Sequence, residues 1–222
     1  LEDTEGYEDF HDKVRTLISV KRQTSTKPAE STISAKDIVT KPFILYLSGC
    51  DQSGKITTRG RSDVNILAVV NPKTKQILLL STPRDYYVEL SIAKGQMKDK
   101  LTHAGIYGID VSMDTLGNLY DVDVDLYFKV NFTGFKEVID ALGGIEVDSD
   151  VAFTAGTNAS SQSAGNTYSF TKGINKLDGD AALAFARERH AFASGDNQRG
   201  KNQMKVIAGV VKKMQSTALL TN

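Results

Sequence analysis

Three runs of near-continuous apolar residues, Phe43–Ser48, Val64–Val70 and Gln76–Ser81, constrain this chain more than any other feature. A strand with one face in water alternates apolar and polar side chains, whereas a strand covered on both faces does not. The runs have strand length, and an Asn71-Pro72 turn separates the second from the third. Tyr86–Leu90 alternates and is expected to continue the same sheet. The pattern then switches to helical spacing over Ile109–Tyr120 and Phe132–Leu142. Leu126–Val130 lies between those helices as a strand. Gly143-Gly144 closes the second helix, and Ile145–Val147 follows as a short strand. Asp178 caps a helix running to about Glu188. A last helix, about Asn197 to Met214, places Ile207, Val210, Val211 and Met214 on one face. The alternation predicts an α/β domain whose central mixed β-sheet is covered by helices on both faces, in three layers.

The main domain is expected over residues 41–222. Residues 7–21 read as a short amphipathic helix, with Phe10, Val14, Leu17 and Ile18 on one face, and residues 22–41 read as a linker. Residues 1–40 are therefore an N-terminal helix and linker, the remnant of an accessory domain. The start at Leu1-Glu2 reads as that of an excised fragment. Residues 154–167 are Thr, Ser, Asn, Ala and Gly, the composition of a surface loop. The 222 residues carry 27 basic and 27 acidic side chains, so no net field draws the chain to nucleic acid. A single cysteine, Cys50, excludes an internal disulfide and a cysteine zinc cage. His11, His103 and His190 are too scattered for a zinc centre. No segment has the ~18 apolar residues of a membrane span.

The arginines carry the chemistry. Beyond residue 41 there are six, in three groups: Arg59 and Arg61; Arg84; and Arg187, Arg189 and Arg199. All other positive charge there is lysine, a hydrated point charge. Arginine presents a planar fork that matches phosphate oxygens two at a time. Arginines grouped beside acidic residues therefore point to a phosphate site. In the first group, Asp51 ends one strand and Asp63 precedes the next, so an antiparallel pair brings them together. Two carboxylates form a hard oxygen site suited to Mg²⁺ with substrate phosphate; the alternative is an ion pair of Asp63 with Arg61 or Arg59. In Ser81-Thr82-Pro83-Arg84-Asp85, the proline fixes the backbone beneath Arg84. Arg187 and Arg189 share a face only if the helix has ended there. Arg199 and Gln203 share a helix face, and Asp196 sits at that helix's start, where a carboxylate caps.

The ordered array Gly-x-Asp, Arg-Ser-Asp, Pro-Arg-Asp, Arg-x-Arg and Asp-x-x-Arg with a following Gln resembles the LytR-CpsA-Psr family of bacterial cell-wall enzymes. So does Phe132-Thr-Gly-Phe with Ile139-Asp-Ala-Leu-Gly-Gly-Ile145. The likeness covers roughly residues 42–215. Lys41–Asp125 looks most like the capsule-associated, CpsA-like members of Gram-positive cocci. The resemblance implies a membrane-anchored protein with its catalytic domain outside the cell. Such an enzyme moves a glycopolymer, here capsular polysaccharide, from a polyprenyl-pyrophosphate carrier onto peptidoglycan. It implies that Asp51 and Asp63 hold Mg²⁺ and that Arg61, Arg84, Arg187, Arg189 and Arg199, with Gln203, hold the pyrophosphate. Arg59 is an outer member of the set. Asp85, Asp196 or a metal-held aspartate is the candidate general base. The lipid chain is expected in an apolar tunnel between the sheet and the helices of Ile109–Tyr120 and Phe132–Leu142, opening at Arg84 and Arg187. One departure stands out: Asn202 occupies a position where many members have arginine, with Lys201 alongside. The same residues would serve a polyprenyl-pyrophosphate phosphatase. A non-catalytic lipid-phosphate-binding regulator would need the arginines but not both aspartates.

Overall fold

A computed structural model describes residues 40–50, 57, 59–92, 97–156, 166–193 and 195–220, without the side chains of Asp196 and residues 217–220. The expected helix at 7–21, nearly all of the linker, and Asp51 lie outside those residues. The chain divides into two compact units, 1–130 and 131–222.

The first unit is built on the three apolar runs. β1 (Phe43–Gly49), β2 (Val64–Asn71) and β3 (Gln76–Thr82) form an antiparallel set. β6 (Leu126–Val130) then lies parallel to β1, giving a mixed sheet of order β3-β2-β1-β6. Asn71 turns the chain between β2 and β3, its side-chain oxygen accepting the N–H groups of Lys73 and Thr74 at 3.1 and 3.3 Å. The parallel return needs a crossover. It contains α1 (Leu101–Tyr107) and α2 (Ile109–Tyr120). Register places Tyr46 opposite Leu67 and Ile44 opposite Val69. That face packs on Leu101, Ala104, Ile109 and Leu116 to form the core.

One strand assignment needs correcting. β4 (Tyr87–Leu90) does not extend the central sheet; it pairs with β5 (Met97–Lys100) as a separate two-stranded ribbon. Its alternation explains this, since Val88 and Leu90 are buried while Tyr87 and Glu89 face solvent. Such a strand has one wet face and does not suit a sheet covered on both.

The second unit contains α3 (Phe132–Ala141), β7 (Ile145–Ser149), β8 (Phe153–Ala155), β9 (Tyr168–Phe170), β10 (Gly173–Leu177), α4 (Gly179–Arg187) and α5 (Asp196–Leu220). β7 pairs with β10 and β8 with β9, both antiparallel. Part of the segment read as loop is thus β8, and residues 157–165 lie outside the described set. The α3 N-cap is Asn131, which accepts from the Gly134 N–H at 2.9 Å. Its end is set by Gly143 and Gly144 at φ +71° and +83°, where a side chain would be strained. Asp178 caps α4 as expected, accepting from the Ala181 N–H at 2.8 Å. The Asp140 carboxylate accepts from the Gly179 N–H at 2.7 Å, and Lys136 pairs with Asp180 at 3.0 Å, so α3 is tied to α4. Phe153, Phe170 and Phe185 meet in tilted and edge-to-face contacts with centroids 4.9–5.2 Å apart, within the core.

Candidate functional site

In the first unit the site begins beneath the chain that carries Arg61 and Asp63. Four polar residues lie where an apolar strand pattern leaves no obvious place for them. Tyr46 and Ser48 are on β1, Ser62 precedes β2 and Asn65 is on it; all are 2% exposed or less. The Tyr46 hydroxyl lies 2.6 Å from Asn65 Oδ1 and 3.1 Å from Ser62 Oγ. Ser48 and Ser62 hydroxyls are 2.8 Å apart, and Ser62 Oγ donates to the Val64 carbonyl at 2.8 Å. Asn65 Nδ2 donates to the Ser62 carbonyl at 3.2 Å. A buried polar group without a partner is costly, so a network this complete specifies one conformation of the chain around Ser62. Burial pushes the Tyr46 phenol above its ordinary value, with the Ser62 hydrogen bond opposing.

The same segment is clamped from outside. Asp63 N–H donates to Gly49 O at 2.7 Å, and Gly60 N–H donates to Gly105 O at 2.8 Å. Gly105 on α1 admits this approach, because a Cβ there would lie 2.3 Å from Gly60 O. Arg61 and Arg59 are exposed on this fixed segment.

Arg84 leaves the end of β3 in a turn closed by Tyr86 N–H to Pro83 O, and its carbonyl accepts the Thr102 N–H at the start of α1. Its Nη1 donates to Asp63 Oδ1 at 2.7 Å, and its Nε sits 3.4 Å from Asp85 Oδ2, an ionic contact rather than a hydrogen bond. Asp85 in turn pairs with Lys100 at 2.7 Å. The Asp63 hydrogen bond raises the Arg84 pKa above its already high value, so this guanidinium is always charged. The Lys100 hydrogen bond holds the Asp85 carboxyl below its usual value. Asp85 is therefore ionised at neutral pH and already engaged by two cations. Asp63 pairs with Arg84, not with Arg61 or Arg59. Among the described residues no group of three or more His, Cys, Asp or Glu converges on a metal position.

In the second unit, Arg187 is the last residue of α4 and its guanidinium carbon lies 4.3 Å above the Phe132 ring. Glu188 then turns extended, with φ −65° and ψ 130°. An extended residue directs its two neighbours to one side and itself to the other. The helix therefore ends between Arg187 and Arg189, which is the condition for two residues two positions apart to share a face. Glu188 is fully buried. Its Oε1 accepts from the N–H groups of Arg189, His190 and Ala191 at 3.0, 2.7 and 3.0 Å, and its Oε2 accepts from Gly156 at 3.3 Å. Arg189 Nε donates to His190 Nε2 at 3.3 Å.

α5 starts at Asp196 and carries Arg199 and Gln203, both half-buried and one turn apart. Asn202 is buried, donating to Phe185 O at 3.3 Å and accepting from Gln198 at 3.0 Å. The residues that sequence reasoning missed are Tyr46, Ser48, Asn65 and Glu188, which support the arginines and aspartate rather than join them. Their signal was present as polar side chains inside an apolar strand and an acid between two arginines.

A family model described as the LytR_cpsA_psr family matches residues 11–222. The polyisoprenyl-teichoic acid–peptidoglycan teichoic acid transferase TagU of Bacillus anthracis is 34% identical over 217 residues, covering 97% of this chain and 67% of that protein. Among solved structures, the LytR-CPS2A-psr family protein YwtF (TagT) with bound octaprenyl pyrophosphate lipid is similar at a TM-score of 0.61 and 32% identity. That likeness covers 91% of this chain and 72% of the other. The protein gbs0355 from Streptococcus agalactiae matches at a TM-score of 0.71 and 30% identity, over 85% of this chain and 65% of its own. The chain thus spans about two thirds of the length of these relatives. Mixed sheet, ordered arginine motifs and these likenesses agree: the chain belongs to the LytR-CpsA-Psr family.

Proposed function

We propose that this chain is the catalytic part of a phosphotransferase that moves a polyprenyl-pyrophosphate-linked glycopolymer onto peptidoglycan, with capsular polysaccharide as the polymer. The observation that carries the reading is the likeness, over 91% of the chain, to a family member described with bound octaprenyl pyrophosphate lipid. The transferase name of a relative aligned over 97% of the chain supports the reaction class. The capsular assignment rests on the resemblance of Lys41–Asp125 to capsule-associated members.

Arg84 and Arg61 in the first unit, and Arg187, Arg189, Arg199 and Gln203 in the second, are assigned to pyrophosphate oxygens, with Arg59 as an outer cation. A prenyl chain has apolar side chains to lie against within the first unit, where Leu78, Leu80, Met97, Val111, Met113 and Leu119 are half-buried on the core. Asp63 is the described carboxylate assigned to Mg²⁺; Asp51 is assigned with it. Two carboxylates suit Mg²⁺, which keeps waters and phosphate oxygens as its other ligands. When bound, the ion would polarise the phosphate and help balance charge on the leaving oxygen. The arginines do the rest: they orient the pyrophosphate and stabilise charge on its non-bridging oxygens as one phosphorus is transferred and the other leaves on the lipid. The protein is assigned to the outer face of the cell membrane.

The test supplies the purified chain with polyprenyl-pyrophosphate-linked capsular or teichoic polymer, peptidoglycan and Mg²⁺. The expected result is polymer joined to peptidoglycan, with prenyl monophosphate released only when the acceptor is present. Release to water alone, without polymer transfer, would overturn the transferase assignment in favour of a phosphatase. Activity that survives both chelation and Asp63→Ala would overturn the metal assignment.

A further inference from the structure

We propose that Glu188 is a positioning residue whose buried carboxylate sets Arg187 and Arg189 as a matched pair of phosphate ligands. The inference rests on the phosphate reading of those two arginines. It starts from an oddity of placement. A carboxylate flanked by two arginines would ordinarily pair with them. Instead Glu188 is fully buried and turned away, and both its oxygens are occupied by backbone N–H groups.

The consequences are geometric. Glu188 N–H still closes the last turn of α4, donating to Ala184 O at 3.2 Å. Its own backbone is extended. The three N–H groups that Oε1 gathers belong to the next three residues, so the carboxylate folds that stretch around itself like the cap of a helix start. Arg189 is the first of them, and its backbone is fixed by this contact. Arg187 is fixed from the other side by α4 and by its position over Phe132. Glu188 is thus the one residue that sets both the break between the arginines and the orientation of the second.

Glutamine separates the two oxygens' roles. An amide in this place keeps one acceptor for residues 189–191 but sets an NH₂ group against the Gly156 N–H. Glu188→Gln should therefore lose stability through the Gly156 contact while keeping the arginine pair. Glu188→Ala loses both.

Two measurements test this on the purified chain. The first needs no ligand: the arginine Nε–H signals of isotope-labelled protein. In Glu188→Ala those of Arg187 and Arg189 should shift and broaden, with that of Arg84 unmoved; in Glu188→Gln they should stay near the parent's. The second is calorimetric titration with inorganic pyrophosphate, each variant held well below its melting temperature. Glu188→Ala should weaken binding at least about tenfold, the size of one charge-assisted hydrogen bond. Adding Arg189→Ala to it should cost much less than Arg189→Ala alone costs the parent, because the two share one function. A folded Glu188→Ala variant with lowered stability but unmoved Arg187 and Arg189 signals would overturn the proposal. So would multiplicative losses in the double variant. A parent protein with no affinity for pyrophosphate would sink the phosphate reading instead, and the arginine signals would still decide whether Glu188 positions the pair.

Discussion

Removing one oxygen atom from the buried network of the first unit gives a measurable test of how Asp63 is held. In Tyr46→Phe the ring stays and the hydroxyl goes. Asn65 Oδ1 loses the donor 2.6 Å away, and Ser62 loses a neighbour at 3.1 Å. No water replaces them without room, because Tyr46 is fully buried and Ser62 and Asn65 are 1–2% exposed. Leaving a buried acceptor unsatisfied costs about 1–3 kcal/mol, more than the net value of the bond itself. For a domain of this size each kilocalorie lowers Tm by about 2–4 °C. Urea denaturation at pH 7 should therefore show a loss of ~1–3 kcal/mol, and turnover should fall as Asp63 loosens. The pH dependence adds a second arm. Burial raises the folded Tyr46 pKa above 10.0. Above pH 10 the unfolded phenol ionises while the folded one stays neutral, so the wild type loses stability as pH rises towards the folded value. The phenylalanine variant lacks that loss, and the other tyrosines cancel between the two proteins. The gap between them should shrink from pH 9 to pH 11. A loss under 0.5 kcal/mol at pH 7, or a gap constant with pH, would refute the reasoning.

Arg84→Lys keeps the charge but cannot hold Asp63 and a phosphate with one fork, so polymer transfer should fall at least about tenfold in kcat/KM; an unchanged value would remove Arg84 from the site. Gly105→Ala places a methyl 2.3 Å from Gly60 O and should destabilise the first unit by ~1–3 kcal/mol in urea, with an unmoved midpoint contradicting the close approach. Burial pushes the Asp125 carboxyl above its ordinary value, against the hydrogen bond from Ile44 N–H. The neutral form is the one the fold favours, so that stability is present below pH 3.8 and lost as pH rises through the folded value. Asp125→Asn should therefore gain on the wild type between pH 3 and pH 7, and a gain that falls with pH would reverse the sign.

What could be read from the sequence divides along physical lines. β1, β2, β3, β6 and α2 were legible because a short run of mostly apolar residues and a 12-residue amphipathic helix are each marked by their own side chains. α1 and β5 were not. Leu101–Tyr107 is under two turns long and has no side-chain N-cap, so neither period nor capping signal marks it. β5, Met-Lys-Asp-Lys, is formed by its pairing with β4 rather than by its own side chains. The same holds for the three-residue strands β8 and β9, whose existence depends on Phe153 meeting Phe170 across the ribbon.

The site divides similarly. Arginine clustering and the fixed base at Pro83 single out the candidate charged groups from composition and order alone. Which carboxylate meets which arginine is a long-range fact: Asp63 and Arg84 are 21 residues apart, and only the β2–β3 register brings them to 2.7 Å. The last helix shows how far a one-dimensional reading reaches. Lys201 stands beside Asn202, the position where many family members have arginine. On a helix Gln203 lies roughly 40° around from Arg199, whereas Lys201 lies roughly 200° around. Lys201 instead adds to the field that, after the Lys205 hydrogen bond, holds the Asp150 carboxyl below its usual value. Asn202 is buried and donates to Phe185 O. The helix therefore offers Arg199 and Gln203 on one face and a lysine pair on another. Besides Arg199, the arginines of this unit are Arg187 and Arg189, on either side of the buried Glu188.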